Sequence, residues 1–242
     1  MKKESSIRNG VIFSASKSPK NSVPMHFKIS TIIFDMDGVI TDTMPYHFQA
    51  WEAVFACEGI TVSHEDIYKR EGQKGIDSVR EIFHEKKKIY TDRVGRKILK
   101  MKEDLFKKIF QQKFIAGSRG FIKNLKNRGF VLGLVTGTSR TEAKKLLPPD
   151  LWDCFTATVC GCDVQNGKPH PEPYLKALQK LKIKPADAIV FENAPFGIRS
   201  ARAAGLFCLA LETSLPRSYL KEADAVFSSY KEIRTKVKLI KS

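Results

Sequence analysis

The chain has 242 residues, 42% of them hydrophobic, which suffices for one large domain or a core with a smaller insertion and excludes disorder throughout. Lys and Arg number 42 against 26 Asp and Glu, a formal net charge of +16, so anionic partners such as phosphorylated metabolites are favoured. The basic residues are spread along the chain, so a nucleic-acid partner is not expected; nor is a membrane, since no apolar run approaches the roughly 20 residues a spanning helix needs.

Residues 1–27 are rich in Lys, Ser and Asn and lack the apolar segment of a secretory signal. They are expected to form a flexible basic arm, with Met25 as an alternative start. Residues 28–34 (KISTIIF) are apolar and β-branched and stop abruptly at the carboxylates of FDMDGVITDT, as a buried strand feeding a functional loop does. Residues 44–117 then interrupt the strand pattern with amphipathic helices expected over 46–58, 63–70, 76–87 and 92–112. Such a block reads as an inserted helical cap, with Pro45 and Ala116-Gly117-Ser118 as its hinges.

Alternation returns with a helix over 120–128 and a strand over 130–135 that ends at Thr136-Gly137-Thr138. A helix over 171–181, a strand over 188–191 ending at Glu192-Asn193, and a strand over 206–211 follow. This pattern implies an α/β fold: a Rossmann-like parallel sheet formed by residues 28–43 and 118–242, with helices on both faces. Ligands bind such sheets beyond the carboxyl ends of the strands, where the polar residues just named fall. The five cysteines, Cys57, Cys154, Cys160, Cys162 and Cys208, form no evenly paired framework, which suits a reducing, cytoplasmic compartment. Cys160 and Cys162 flank one glycine, but no second pair completes a metal site, so both are expected as buried free thiols.

The strongest chemical signal is Asp35 and Asp37, two carboxylates separated by one residue at a strand end, followed by Gly38, where the backbone can turn closely around a ligand. A carboxylate attacks phosphorus once cations reduce the charge repulsion, and an aspartyl-phosphate divides one hard displacement into two easier ones. Asp35 is therefore the expected nucleophile, and Asp37 the acid for the leaving group and then the base for water.

With these residues the sequence resembles the haloacid dehalogenase superfamily, in particular the subclass with a helical cap that includes β-phosphoglucomutase and many small-molecule phosphatases. The resemblance runs from about residue 28 to the C-terminal region and rests on four motifs in order. Asp35, Asp37 and Gly38 match the first. Thr136 matches the second, implying that its hydroxyl and the Gly137-Thr138 loop bind a phosphoryl oxygen. Lys168 in GKPHPEPYLKAL matches the third, implying a cation that neutralises the phosphoryl group and the nucleophile. Glu192-Asn193 matches the fourth, implying a Mg²⁺ site made from Asp35, the Asp37 carbonyl, and Asn193 or Glu192. The family more often has Asp where this chain has Asn193, so weaker metal affinity is expected.

The region TDTMPYHFQAW is very like β-phosphoglucomutase, including Thr43, His47 and Trp51, and Lys102 resembles a cap lysine that partners this histidine. The departure lies in the cap loop REGQKGIDSV. Gly75 stands where the mutase has an arginine for the distal phosphate; Lys74 could substitute only as a point charge. Glu71 resembles a phosphatase-like branch that includes a pyrophosphatase. The resemblance thus implies hydrolysis of a small sugar phosphate or of pyrophosphate, with β-phosphoglucomutase-type isomerisation as the alternative. A non-catalytic anion binder is opposed by the intact set of Asp35, Asp37, Thr136 and Lys168. A monomer is expected.

Overall fold

The computed structural model describes residues 24–242, together with the backbone of Ile7–Arg8 (β1) and Val11–Ile12 (β2). The rest of the expected arm lies outside the described residues. Its boundary at residue 27 needs correction, because Met25–Ile29 already forms strand β3, paired in parallel with the C-terminal strand β10 (Val237–Lys241) and, through Ile12 and His26, with β2. Phe27 of this strand is fully buried and meets Phe207 edge to face with ring centroids 5.1 Å apart.

The run 28–34 divides at Ser30. Its N–H donates to the Asp187 carbonyl (3.1 Å) and its carbonyl accepts from the Val131 N–H (3.0 Å), so the chain leaves the small sheet there and joins the large one. That sheet contains β4 (Thr31–Phe34), β5 (Val131–Val135), β6 (Ala157–Val159), β7 (Ala188–Glu192), β8 (Phe207–Leu211) and β9 (Ala225–Phe227), in the order β6-β5-β4-β7-β8-β9 with every pair parallel. β4 is buried at all four positions, as a central strand covered on both faces must be. Phe34 pairs with Leu134 on one side and Phe191 on the other, so the three central strands end within one residue of one another. Asp35 after β4, Thr136 after β5 and Glu192 at the end of β7 therefore emerge at one edge.

Between β4 and β5 come α1 (Met44–Ala56), α2 (His64–Tyr68), α3 (Gly75–Glu85) and α4 (Asp92–Ile109). Pro45 sits in the first turn of α1, where its missing N–H has no helical partner to lose. These helices pack around their own apolar cluster, centred on Trp51, Phe55, Val79, Ile82, Phe83 and Ile98. The two connecting segments lie side by side: the Asp42 N–H donates to the Lys113 carbonyl (2.9 Å) and the Ile115 N–H to the Ile40 carbonyl (3.0 Å). Gly117, at a φ of 85° reserved in practice for glycine, turns the chain into α5 (Ser118–Asn127).

The remaining helices are α6 (Arg140–Leu146), α7 (Pro149–Trp152), α8 (Glu172–Leu181), α9 (Pro195–Ala203) and α10 (Tyr230–Lys236). All five cysteines are free, but the expected burial holds for Cys160 and fails for Cys162, which is exposed. Among the described residues no helix is long and apolar enough to cross a membrane.

Replacing Phe27 by Ala removes a fully buried ring and should lower unfolding stability by about 3 kcal/mol in a urea titration. A loss under about 1 kcal/mol would show that β3 contributes little to the core.

Candidate active site

The Asp35 N–H donates to the Phe191 carbonyl (2.9 Å), which extends the β4–β7 ladder one residue past β4 and fixes where the carboxylate starts. Asp35 and Lys168 are each 1% exposed, and the Lys168 ammonium donates to Asp35 Oδ1 at 2.6 Å and to Glu192 Oε1 at 2.6 Å. Tyr174 of α8 donates its hydroxyl to the same Glu192 oxygen (2.7 Å), while the Asn193 N–H donates to Glu192 Oε2 (2.9 Å). Burial works against the Lys168 charge, but the two flanking carboxylates outweigh it and raise its pKa, so this lysine is held protonated. Burial pushes the Asp35 carboxyl toward protonation, and the Lys168 ammonium opposes that shift.

Glu192, expected with Asn193 at the metal site, is the partner of Lys168. Both of its oxygens accept hydrogen bonds, and it packs so closely on α9 that a Cβ on Gly197 would stand 1.9 Å from its Oε1. Two further residues belong to the site: Tyr174, whose place in GKPHPEPYLKAL just after the lysine motif is its one sequence signal, and Ser214, for which no local signal exists.

Among the described residues three buried side-chain oxygens find no partner; one is the Tyr90 hydroxyl in the helical insertion, and the other two, Asp35 Oδ2 and Asn193 Oδ1, lie at this site. Asn193 donates through Nδ2 to Ser214 Oγ (2.8 Å), which leaves its carbonyl oxygen as the free end. Gly38, at φ 82°, lies against it: a Cβ there would come 2.0 Å from Asn193 Nδ2, so only glycine permits the approach. Hard oxygens left unpaired in a buried site fit a hard cation such as Mg²⁺. The set is poor in charge, and among the described residues no group of three or more His, Cys, Asp or Glu side chains is arranged to hold a metal ion.

Asp37 is a hub of donors. Thr43 Oγ1 lies 2.5 Å from its Oδ1, and Thr138 Oγ1 (3.1 Å) and Thr136 Oγ1 (3.4 Å) reach its Oδ2. Thr136 also accepts from the Thr138 N–H (3.1 Å). Lys102 of α4 donates to His47 Nδ1 (2.8 Å), and an ammonium can only donate, so the neutral ring carries its proton on Nε2. That nitrogen faces Asp37 Oδ1 at 3.5 Å, longer than a formed hydrogen bond. His47 is stacked on Phe106 with ring centroids 4.3 Å apart. Burial and the Lys102 charge lower the His47 pKa. Burial opposes the Asp37 charge, but His47, Thr43 and Thr138 outweigh it and hold its pKa below the ordinary carboxylate value.

A cavity of about 150 Å³ lies beside this hub, between the core loop 137–139 and the helical insertion. Its insertion side presents Glu71, whose carboxyl is pushed well above the usual range by burial first and then by Asp37 and Asp35. The protonated form is thereby favoured. Lys74 departs from its expected place in the cavity; its ammonium donates to the Val164 and Gln165 carbonyls. The cations that do line the cavity are paired: Arg70 with Glu81 (3.2 Å) and Glu85, Lys102 with His47, and Lys107 with Glu142 (3.6 Å).

The sequence profile of haloacid dehalogenase-like hydrolases matches residues 29–205. The chain is 31% identical over 183 residues to a phosphorylated carbohydrates phosphatase of Thermotoga maritima, covering 74% of this chain and 82% of that protein. It is 29% identical to a β-phosphoglucomutase of Bacillus subtilis, covering 78% and 85%. The crystal structure of a β-phosphoglucomutase from Clostridium difficile is similar with a TM-score of 0.74 at 25% identity, covering 86% of this chain and 96% of that one.

Burial lowers the Lys102 pKa to about 8, against the opposing pull of Glu71 and Asp37. The lysine is charged below that pH and neutral above it, so as pH rises the donor-only ammonium becomes an amine that can also accept, and the His47 tautomer is no longer fixed. Turnover should fall above about pH 8, and Lys102→Arg should move that fall upward by about two pH units or more, given the higher guanidinium pKa. An unchanged alkaline limb in the arginine variant would contradict this assignment.

Proposed function

Because the chain belongs to the haloacid dehalogenase-like hydrolases and is a phosphatase or phosphotransferase, we propose that it hydrolyses small phosphomonoesters of the sugar-phosphate class with Mg²⁺, through a phosphoryl group carried on Asp35. The observation that supports hydrolysis over mutase chemistry is the cavity wall itself. It offers the Glu71 carboxyl, and each lining cation is engaged within the protein. Among the described residues a second phosphoryl group would meet no free cation there, so water is the better acceptor.

In this reading an Asp35 oxygen attacks phosphorus while Lys168, held protonated between Asp35 and Glu192, balances charge on the transferring group. Asp37 is in the deprotonated form, ready to take a proton from the water that attacks the aspartyl-phosphate. For the leaving oxygen of the next substrate Asp37 must again carry a proton, which it takes from solvent once the incoming phosphoryl anion raises its pKa. Thr136, Thr138 and Thr43 hold its carboxylate in place for both transfers. Asp35 Oδ2 and Asn193 Oδ1 would hold the magnesium ion, which when bound screens the negative charge between nucleophile and phosphoryl group.

A sugar skeleton suits the cavity better than pyrophosphate. Trp51, Ile82 and Leu99 offer apolar walls, and the Ser139 hydroxyl, which accepts from the Glu142 N–H, offers its own proton to a sugar oxygen. The Thermotoga maritima relative is named for phosphorylated carbohydrates, in the same chemical class.

Incubation with Mg²⁺ and hexose phosphates, β-glucose 1-phosphate or pyrophosphate should release inorganic phosphate fastest from a hexose phosphate. Asp35→Asn should abolish release. Glucose 6-phosphate formed from β-glucose 1-phosphate without free phosphate would overturn hydrolysis in favour of the mutase. Asn193→Asp adds a charge to the metal site and should lower the Mg²⁺ concentration for half-maximal activity by about tenfold; no change would remove Asn193 from that site.

A further inference from the structure

Lys74 stands one residue before α3, in the loop that closes over the reaction centre. Its Nζ lies 2.6 Å from the Val164 carbonyl oxygen and 2.6 Å from that of Gln165. Those carbonyls belong to the short segment leading into Gly167 and Lys168. The segment is itself stiffened, because the Glu172 carboxylate at the start of α8 accepts from the Gln165 N–H (2.6 Å) and the Asn166 N–H (2.8 Å). A cation on the insertion is thus tied to the main chain that presents the catalytic lysine.

The surrounding backbone is shaped for this approach. A Cβ on Gly72 would stand 2.4 Å from Lys168 Cδ, one on Gly137 would stand 2.7 Å from the Gly72 oxygen, and one on Gly167 would stand 3.0 Å from Lys74 Cγ. Three glycines, on both sides of the junction, are therefore needed for the loop to lie on the core at this distance. Lys74 is half-buried, so its two bonds can break for product release. Each cation that lines the cavity is paired, and Lys74 is turned to peptide carbonyls instead of the cavity.

We propose that Lys74 is a positioning residue that latches the helical insertion shut over Lys168 by protein contacts alone. A substrate then needs only one phosphoryl group, because no second group is required to hold the lid. That consequence rests on the hydrolysis proposed above; the latch itself does not.

The test compares the full-length enzyme with Lys74→Met and Lys74→Arg in two measurements. In substrate-free hydrogen exchange, the amides of Gln165, Asn166 and His170 should exchange about tenfold faster in Lys74→Met, with β4 and β5 unchanged and Lys74→Arg close to wild type. In steady-state kinetics with p-nitrophenyl phosphate, kcat/KM should fall about tenfold in Lys74→Met and be restored in Lys74→Arg. Unchanged exchange at those three amides would overturn the latch. So would a KM for glucose 1,6-bisphosphate that rises far more than that for p-nitrophenyl phosphate, since Lys74 would then be gripping a phosphate. An enzyme that hydrolyses neither ester yet shows the exchange difference would uphold the latch and overturn the hydrolase reading.

Discussion

The structure turns on one buried cation. Lys168 lies within 2.6 Å of both Asp35 and Glu192 with its side chain 1% exposed, and an ammonium placed there without partners would be prohibitively costly. Everything around it serves that placement. The neighbouring ends of β4, β5 and β7 bring Asp35 and Glu192 to one edge, Tyr174 and the Asn193 amide donate to Glu192 beside the lysine, and Gly72 roofs the lysine stem. With both carboxyls ionised the triad carries one net negative charge, and burial opposes that state at Asp35; a cation at Asp35 Oδ2 and Asn193 Oδ1 would favour it.

The core supplies the nucleophile and the buried cation, while the insertion supplies much of the proton chemistry. His47 and Lys102 come from α1 and α4, and they meet Asp37 only when the insertion sits on the core. The loop after α2 brings Glu71 to the cavity and Gly72 onto Lys168. Closure therefore does two things together: it excludes water from Asp35 and it sets the protonation partners of Asp37.

The parts of this arrangement legible in the sequence are those whose cause is local. The continuous apolar run 31–34 announces a buried strand, and its sudden end at Asp35 and Asp37 announces a site. β6 and β9, three residues each, are too short to show a period. The break at Ser30 is invisible because its bonding partners, Asp187 and Val131, are distant in the chain. The same reason explains the side chains whose places differ from expectation. Glu192 is acidic and follows a strand, but Lys168 and Tyr174 decide where it points; Lys74 is a surface-type lysine until the carbonyls of Val164 and Gln165 claim it. The pairing of His47 with Lys102 across 55 positions followed from resemblance and not from any local pattern.

The central claim is that Asp35 carries the phosphoryl group. The direct measurement is acid quenching within milliseconds of mixing enzyme, Mg²⁺ and a hexose phosphate, followed by peptide mass spectrometry. The account predicts an acid-stable, base-labile phosphoryl increment on the peptide containing Asp35, rising before steady-state phosphate release. Phosphate released at full rate with that peptide unmodified, or with the increment on another residue, would contradict it.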